Sequence, residues 1–530
     1  MFFDSRRSTV LAKNGMVATS QPLAAQAGLQ VLIQGGNAVD AAVAAAAVLN
    51  VVEPESTGVG GDMFALIWKA DEKRVKALNG SGRAPANCSI DELKARGYSQ
   101  MPQDGAYSVS VPGTVHGWET ILEADGTMPL SEVLKPAIRY AEEGFPVTDY
   151  ISYQWSHQVS RLAQLPSGQE FLFHGRAPRH GEVMRLPTLA GTLRAIAEGG
   201  SAAFYTGKIA GKIASFVQEQ GGWISTQDLA AHTTDWDEAI STNYRGVTCW
   251  ECPPNGQGIV ALEALNIVEG FDIRGMGFQT ADTYHHLIEA TRLAFADAFR
   301  YVADPRRARV PSAELTSKSY AAQRRELINP AQAMPYAPFG DINVGRDTVY
   351  ISAVDGRGNA CSFINSVYNN FGSGLVVPGT GIVLQNRAAL FSLDPDHPNA
   401  LAPGKRPYHT IIPALATVDG ELYMCYGVMG GFMQPQGHLQ VMVNTLDFGQ
   451  DPQEAINALR FQTLGDTLML EEGLSDEVVN DLSQRGHNIS IARGHSRVGM
   501  GGAQIIRRDP ETGVLRGGSE PRKDGCAIGW

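Results

Sequence analysis

The sequence predicts a mixed α/β (α+β) protein, an αββα sandwich in which two β-sheets lie between two layers of helices. Two observations support this fold class. Helical periodicity dominates the first two thirds of the 530-residue chain, whereas short alternating runs and tight turns dominate from Thr348 onward. Neither part can close alone, because the early helices need a sheet to cover and the late strands need helices over them. A fold built from both parts satisfies both needs.

Four helices are predicted in the first part. Residues 37–50 form an alanine-rich run typical of a buried helix, and residues 130–143 and 187–198 have amphipathic patterns. The clearest helix spans 282–300, where apolar residues recur at i, i+3 and i+4.

The last third of the chain reads mainly as strands. Its elements are predicted at 349–354, 360–367, 381–385, 411–417 and 421–428, followed by helices near 435–447 and 475–485 and a strand region near 503–516.

Bulk properties restrict the function. A formal net charge of −12 and an isoelectric point near 5.5 argue against nucleic-acid or anionic-membrane partners. The most apolar stretch, 41–52, is too short to span a bilayer, and residues 1–7 lack the apolar core of a secretory signal. A cytoplasmic location is therefore expected.

No metal or cofactor site is predicted. Cys249 and Cys252 have metal-ligand spacing but no second pair, and in a strand they point to opposite faces, so buried reduced thiols are expected. The glycine run at 56–62 lacks nucleotide-binding spacing, and the adjacent His285 and His286 do not face one site on a helix.

Thr348 is a candidate nucleophile because of its surroundings. A charged, poorly periodic stretch at 340–347 precedes it, and a predicted hairpin follows it. A cut before Thr348 would free its α-amine, whose pKa of about 8 suits a base that activates the hydroxyl. The alternative is an ordinary β-branched strand residue.

Gly430 and Gly431 are candidates for an oxyanion hole. They lie between a predicted strand and a predicted helix, where paired glycines let backbone N–H groups point into a site. The alternative is a tight strand-to-helix turn. Ahead of another strand, residues 405–410 bring together two cations and two hydroxyl groups.

These motifs together resemble the γ-glutamyltranspeptidase family of N-terminal nucleophile (Ntn) hydrolases. The similarity covers nearly the whole chain and is carried by segments 15–18, 35–42, 58–61, 111–114, 228–229, 244–246, 253–254, 289–297, 405–407, 430–431 and 520–522, together with Thr348.

The resemblance implies roles for several residues. Thr348 matches the autoprocessing residue and nucleophile, and Ser366 falls where the family has a threonine that hydrogen-bonds the nucleophile. Gly430 and Gly431 match the oxyanion pair, and Thr410 matches a serine that contacts the substrate carboxylate. Cleavage between residues 347 and 348 would give a large subunit, 1–347, and a small subunit, 348–530, which pair as one compact unit.

Departures from the family pattern point to a different substrate. Tyr368, Arg387 and Leu390 stand where the family contacts the substrate amine, so a glutamyl ammonium group would meet a like charge and lose its carboxylate partner. His409 stands at a serine position, and Arg83 is the nearest arginine to the position that holds the α-carboxylate. Arginine suits a carboxylate because its planar fork binds both oxygens.

The runs 385–387 and 434–438 resemble the family branch that contains oxamate amidohydrolase. The expected function is therefore hydrolysis of the amide of a small carboxylate-bearing acyl group, with oxamate as first choice and a glutaryl-type amide as second. The alternatives are a γ-glutamyl hydrolase or transferase, a cephalosporin-type acylase, and an unprocessed binding protein of the same fold. A further homo-oligomer is left open.

Overall fold

A computed structural model describes residues 7–335 and 348–530. The strands in these two ranges are β1 (Val10–Ala12), β2 (Gly15–Thr19), β3 (Asp62–Lys69), β4 (Arg74–Gly80), β5 (Phe145–Pro146), β6 (Val183–Met184), β7 (Asp235–Asp237), β8 (Ile240–Tyr244), β9 (Val247–Glu251), β10 (Val349–Asp355), β11 (Ala360–Ser366), β12 (Val376–Val377), β13 (Ile382–Val383), β14 (Ala414–Val418), β15 (Glu421–Met429), β16 (Phe461–Leu464), β17 (Thr467–Glu471), β18 (Asn488–Ala492), β19 (Gly502–Arg508), β20 (Leu515–Ser519) and β21 (Cys526–Gly529).

The α-helices of the same ranges are α1 (Pro22–Ile33), α2 (Ala38–Val52), α3 (Ile90–Ala95), α4 (Thr114–Asp125), α5 (Leu130–Val133), α6 (Lys135–Glu143), α7 (Asp149–Ser156), α8 (Val159–Leu162), α9 (Pro187–Tyr205), α10 (Lys208–Glu219), α11 (Thr226–Ala230), α12 (Gly258–Val268), α13 (Ile273–Met276), α14 (Ala281–Tyr301), α15 (Ser312–Leu315), α16 (Lys318–Arg325), α17 (Met433–Leu446), α18 (Pro452–Asn457) and α19 (Asp476–Gln484). None of them combines the length and apolar character needed to cross a bilayer.

Two seven-stranded sheets form the centre of the fold. Sheet I has the order β21-β2-β10-β11-β3-β4-β7, and sheet II has the order β1-β20-β19-β15-β14-β9-β8. All neighbouring strands in both sheets are antiparallel. Strands β5 and β6, β12 and β13, and β16 to β18 form small separate sheets.

The core has the layers that the sequence predicts. Tyr350 and Phe64 of sheet I pack against Cys425 and Ile506 of sheet II between the two sheets. Because side chains alternate along a strand, β10 turns its other residues outward, where they pack against the alanines of α2. Helices α12, α14 and α17 cover the outer face of sheet II. The αββα sandwich is therefore confirmed.

Both parts of the chain share each sheet. In sheet I, β10 and β11 lie between β2 and β3, so strands that follow residue 347 are flanked on both sides by strands that precede it. In sheet II, the late strands β20, β19, β15 and β14 lie together between the early strands β1 and β9. Neither part holds a complete seven-stranded sheet of its own.

Four predicted elements differ from the structure, one of which is the strand expected at 411–417, since it begins only at Ala414. The helix expected at 130–143 is divided at Leu134 into α5 and α6, because Pro136 lacks an N–H group and its ring crowds the preceding turn. The helix expected at 187–198 continues to Tyr205 with a kink at Gly200, whose φ is 63°. The strand expected at 381–385 shortens to Ile382–Val383.

The cysteine prediction agrees with the structure. All six cysteines lie in the described residues, none forms a disulfide, and five of them are buried. Cys249 belongs to the core under the helices of sheet II, whereas Cys252 belongs to the core between the sheets.

Candidate active site

Thr348 directly precedes β10 and is only 1% exposed. Its Oγ1 donates a hydrogen bond to Ser366 Oγ at 3.2 Å. The hairpin register explains this contact, because Val349 lies opposite Asn365 and the next residues along each strand therefore meet. The Ser366 oxygen also accepts the N–H of Tyr368 at 2.8 Å. Thr348, the predicted nucleophile, and Ser366, the residue predicted to hydrogen-bond it, are therefore in contact.

The stacking of β10 on β15 brings the glycine pair to the same end of the sandwich. Ser352 Oγ donates to the Cys425 carbonyl at 3.1 Å, and a Cβ on Gly427 would lie 2.4 Å from the Tyr350 ring. Moving back two residues along β10, from Ser352 to Tyr350, thus moves the contact forward two residues along β15, from Cys425 to Gly427. The next step of this antiparallel series brings Thr348 to the end of β15, where the glycine pair begins.

Gly430 and Gly431 form a turn that only glycine adopts easily. Their φ angles are 127° and 60°, in the region unfavourable to other residues. The Gly430 carbonyl accepts the Met433 N–H at 3.0 Å, and the Gly431 carbonyl accepts the Gln434 N–H at 3.2 Å. The start of α17 thus fixes the turn through its carbonyl groups. The function of the glycine N–H groups as an oxyanion hole stays a prediction.

Gln257, which the sequence interpretation missed, joins this turn to the segment around Thr410, which the sequence predicts to bind substrate. Its Nε2 donates to the Gly431 carbonyl at 2.9 Å and to the Thr410 carbonyl at 2.7 Å. Its Oε1 accepts the Tyr408 hydroxyl at 3.1 Å. One buried side chain therefore sets the relative position of two predicted site segments.

Arg387 lies in the first turn of a 3-10 helix, Arg387–Leu390, and is fully buried. Its Nη1 donates to Thr410 Oγ1 at 2.7 Å, and its Cζ lies 4.6 Å from the centroid of the Tyr368 ring. The Nε and Nη2 groups have no hydrogen-bond partner among the described residues. Unpaired buried donors are rare, and these two are arranged to bind both oxygens of a carboxylate.

Tyr368 links the two halves of the site. Its backbone N–H contacts Ser366 and its ring supports the guanidinium of Arg387. It has a φ of 79°, which is unusual for a bulky residue and is of the kind found at functional sites. Tyr368 thus contacts the hydroxyl pair through its backbone and the arginine through its ring.

Asp62 is the carboxylate that most affects Arg387. It begins β3 opposite Ser366 and is fully buried. Its oxygens accept the N–H of Gly82 at 2.9 Å and Nε2 of Gln385 at 2.9 Å, and His409 Nε2 lies 3.0 Å away. The sequence interpretation missed Asp62, because its partners come from three distant segments; its position after two glycines at a strand start is the only local signal.

The charges of this network follow from burial. Burial raises the pKa of Asp62 to about 6, although Arg387 opposes the rise. Burial lowers the pKa of Arg387 to about 10, so the guanidinium stays protonated at neutral pH. Burial and the positive charge of Arg387 also hold the pKa of His409 well below its usual value. His409 is therefore neutral and donates its Nε2 proton to Asp62.

His409 and Arg83 have partners already. The second ring nitrogen of His409 accepts the Ile411 N–H at 3.4 Å, so this residue positions Asp62 more directly than it meets a substrate. Arg83 lies 2.9 Å from Asp235 and also donates to the Thr233 carbonyl. Contact of either residue with substrate stays a prediction.

The predicted cleavage site has no structural account, because Asp347 and the rest of segment 336–347 lie outside the described residues.

A separate cluster could hold a metal ion, since ligand atoms of His285, Glu289 and His487 lie within 4.8 Å of one another. The sequence interpretation missed this cluster because it needs His487, a residue 202 positions away whose Nε2 lies 2.9 Å from His285 Nδ1.

Comparisons with known proteins show the family to which the chain is similar. The family model described as gamma-glutamyltranspeptidase matches residues 24–530. The glutathione hydrolase-like YwrD proenzyme of Bacillus subtilis is 39% identical over 98% of this chain and 99% of its own. The oxamate amidohydrolase proenzyme of Klebsiella pneumoniae is 36% identical over 99% of this chain and 100% of its own.

A solved structure adds the fold. The cephalosporin acylase from Bacillus halodurans is 49% identical, with a TM-score of 0.94 over 100% of this chain and 98% of that one. Family model, relatives and structure agree over nearly the entire length. The chain therefore belongs to the γ-glutamyltranspeptidase family, whose Ntn-type amidohydrolases include oxamate amidohydrolase, glutathione hydrolases and cephalosporin acylases.

Proposed function

We propose that the chain cuts itself between Asp347 and Thr348 and then hydrolyses an amide with Thr348 as nucleophile. In the cut, Thr348 Oγ attacks the carbonyl of Asp347, the peptide C–N bond breaks, and an ester forms that water hydrolyses. Fragments 1–347 and 348–530 stay together, because strands of one fragment pair with strands of the other in both sheets. The relatives described as proenzymes support this step.

The freed α-amine would then act as the base. It takes the proton of the Thr348 hydroxyl while Oγ attacks the substrate carbonyl, and it returns a proton to the departing amine or ammonia. Water, deprotonated by the same amine, attacks the resulting ester and releases the acid. The N–H groups of Gly430 and Gly431 stabilise the negative oxygen in both steps.

The observation that carries the substrate class is the buried Arg387. Two of its donor groups lack partners among the described residues, and a third binds Thr410. A carboxylate on the acyl group would satisfy them, since a fully buried cation without such a partner is costly. We therefore assign the substrate as the amide of a small carboxylate-bearing acid.

Oxamate is our first candidate, hydrolysed to oxalate and ammonia. Its carboxylate is bonded directly to the amide carbonyl, so the arginine must lie close to the nucleophile. The contacts of Tyr368 with both Ser366 and the guanidinium of Arg387 support a site that holds the carboxylate and the amide of one small molecule. The similarity to an oxamate amidohydrolase supports the same choice.

A glutaryl-type amide is the second candidate. The specific support is the structural similarity to a cephalosporin acylase, at 49% identity. A γ-glutamyl substrate is disfavoured, because its ammonium group would meet the positive charge of Arg387 with Leu390 where a carboxylate is needed.

The experiment that tests the proposal is intact-mass spectrometry of the purified protein with N-terminal sequencing of the smaller fragment. We expect two fragments, the smaller beginning at Thr348. Thr348→Ala should remain one inactive chain, and Thr348→Ser should still be cut. An intact wild-type chain, as a binding protein of this fold would give, or a fragment beginning elsewhere, would refute the mechanism.

The substrate is tested by product release from matched amides. Ammonia release from oxamate and from glutaramate is compared with turnover of γ-glutamyl-p-nitroanilide, with and without a dipeptide acceptor. Faster turnover of the γ-glutamyl compound than of both other amides would overturn the substrate assignment while leaving Thr348 as nucleophile.

A further inference from the structure

A cavity of about 320 Å³ opens next to the candidate active site, and its wall is mainly apolar. Phe299, Tyr408 and Phe432 form one side of it, with ring centroids 5.5 to 6.0 Å apart. Leu390 lines the cavity beside them, while Asp394 and His397 add polar groups. This size and composition are typical of a binding site for a small organic molecule.

Three separate segments connect this cavity to the active site. The 3-10 turn Arg387–Leu390 begins with the carboxylate-binding arginine and ends in the cavity wall. Phe432 follows Gly431 of the glycine turn, and Tyr408 comes two residues before Thr410. The same three segments thus contribute to the cavity wall and to the site.

We propose that this cavity receives an aromatic or other apolar group carried on the amine side of the scissile amide. The inference rests on the proposed function, in which Arg387 binds a carboxylate at the end of the acyl group. An acyl group that ends in that carboxylate cannot continue further, so the remaining part of a larger substrate belongs to the leaving amine. The enzyme should therefore accept N-substituted amides as well as primary ones.

The dimensions fit a single aromatic ring with room to spare. An apolar protein cavity of about 150 Å³ already binds benzene. The three aromatic side chains would pack edge-to-face or offset against such a ring, the arrangements that aromatic pairs prefer.

The test compares two amides of one acid, a primary amide and its anilide, in the self-processed wild-type enzyme. We expect the anilide to have a KM at least about tenfold lower, which corresponds to about 1.4 kcal/mol. Val302→Phe, which fills the cavity from the end of α14, should bring the ratio of the two KM values close to one. Val183→Phe is the matched control at an exposed site and should keep the wild-type ratio.

Phe299→Leu provides a second variant should Val302→Phe fail to fold, and it should reduce the ratio by several fold. An unchanged ratio in both cavity variants would overturn the proposal. So would an aromatic preference that follows the acyl group, seen as faster hydrolysis of phenylacetamide than of the anilide.

A binding measurement separates this inference from the proposed function. Fluorine NMR of 4-fluoroaniline with wild-type protein needs no turnover, and Val302→Phe should abolish the binding signal. Absence of hydrolysis together with retained fluoroaniline binding would refute the proposed function alone. Hydrolysis of the primary amide without fluoroaniline binding would refute the cavity assignment alone.

Discussion

Replacing Arg387 with methionine should separate carboxylate recognition from catalysis. The side chain presents two unpaired donors, and a hydrogen bond to a charged group contributes about 1.5–3 kcal/mol. Two such bonds would contribute about 3–6 kcal/mol, reduced by the opposing charge of Asp62. We expect kcat/KM for a carboxylate-bearing amide to fall about 100- to 1000-fold, or about 3–4 kcal/mol.

The assay compares this substrate with a neutral amide of the same length, in which a methyl ester replaces the carboxylate. Arg387→Met should affect the neutral amide by less than about threefold, since no bond to it is lost. Arg387→Lys keeps the charge without the planar fork and should lose about 10- to 50-fold on the carboxylate substrate.

Equal losses on both amides would refute the reasoning, as would failure of the variant to process. The same substitution has a consequence for stability. Because it removes a buried cation that lacks a full set of partners, Arg387→Met should leave the melting temperature unchanged or raise it. A clear fall would mean that the guanidinium stabilises the free enzyme.

Three further predictions concern the groups around the nucleophile. Ser366→Ala should lower kcat about 3- to 10-fold by removing one hydrogen bond, and Ser366→Thr should restore it; an unaffected kcat would contradict a role for this hydroxyl. Gln257→Met leaves two buried carbonyl groups without their donor, so it should lower kcat more than it raises KM and destabilise the fold by about 2–4 kcal/mol, measured by denaturant unfolding. Asp62, with a pKa raised to about 6, gains a proton as the pH falls from 7.5 to 5.5, so inhibition by oxalate should strengthen several-fold over that range and lose its pH dependence in Asp62→Asn. Since this pKa lies above the unfolded value, the stability due to Asp62 is complete below about pH 4 and is lost as the pH rises through about 6. The free energy of unfolding of the wild type should therefore fall relative to that of Asp62→Asn over this window, and a constant difference would contradict the raised pKa.

Local sequence predicts the hairpin that carries the proposed nucleophile. Thr348 and Ser366 flank two alternating runs joined by a short turn, and a hairpin of that length brings its ends together. The same holds for the existence of α14, although its burial extends well beyond the apolar stripe, to His285, Glu289 and Arg292. Where periodicity is strong and the partners are close in sequence, the fold follows from the pattern.

Long-range partners could not be predicted in this way. Asp62 meets His409 across 347 residues, and Gln257 meets Gly431 across 174. In the sequence, Asp62 and Gln257 cannot be distinguished from other polar residues, because their hydrogen-bond partners become neighbours only when the sheets pack together. Pro136 shows the opposite case, since the apolar pattern continues across it while the backbone cannot.

Strands that precede residue 347 pair with strands that follow it in both seven-stranded sheets, and this affects how long the enzyme stays folded. Before the proposed cut, unfolding and refolding involve one molecule; after it, the two fragments would have to associate again and rebuild both sheets together. Refolding of the cut form should therefore depend on concentration and compete with aggregation. Its durability then rests on the height of the unfolding barrier and not on reversible equilibrium.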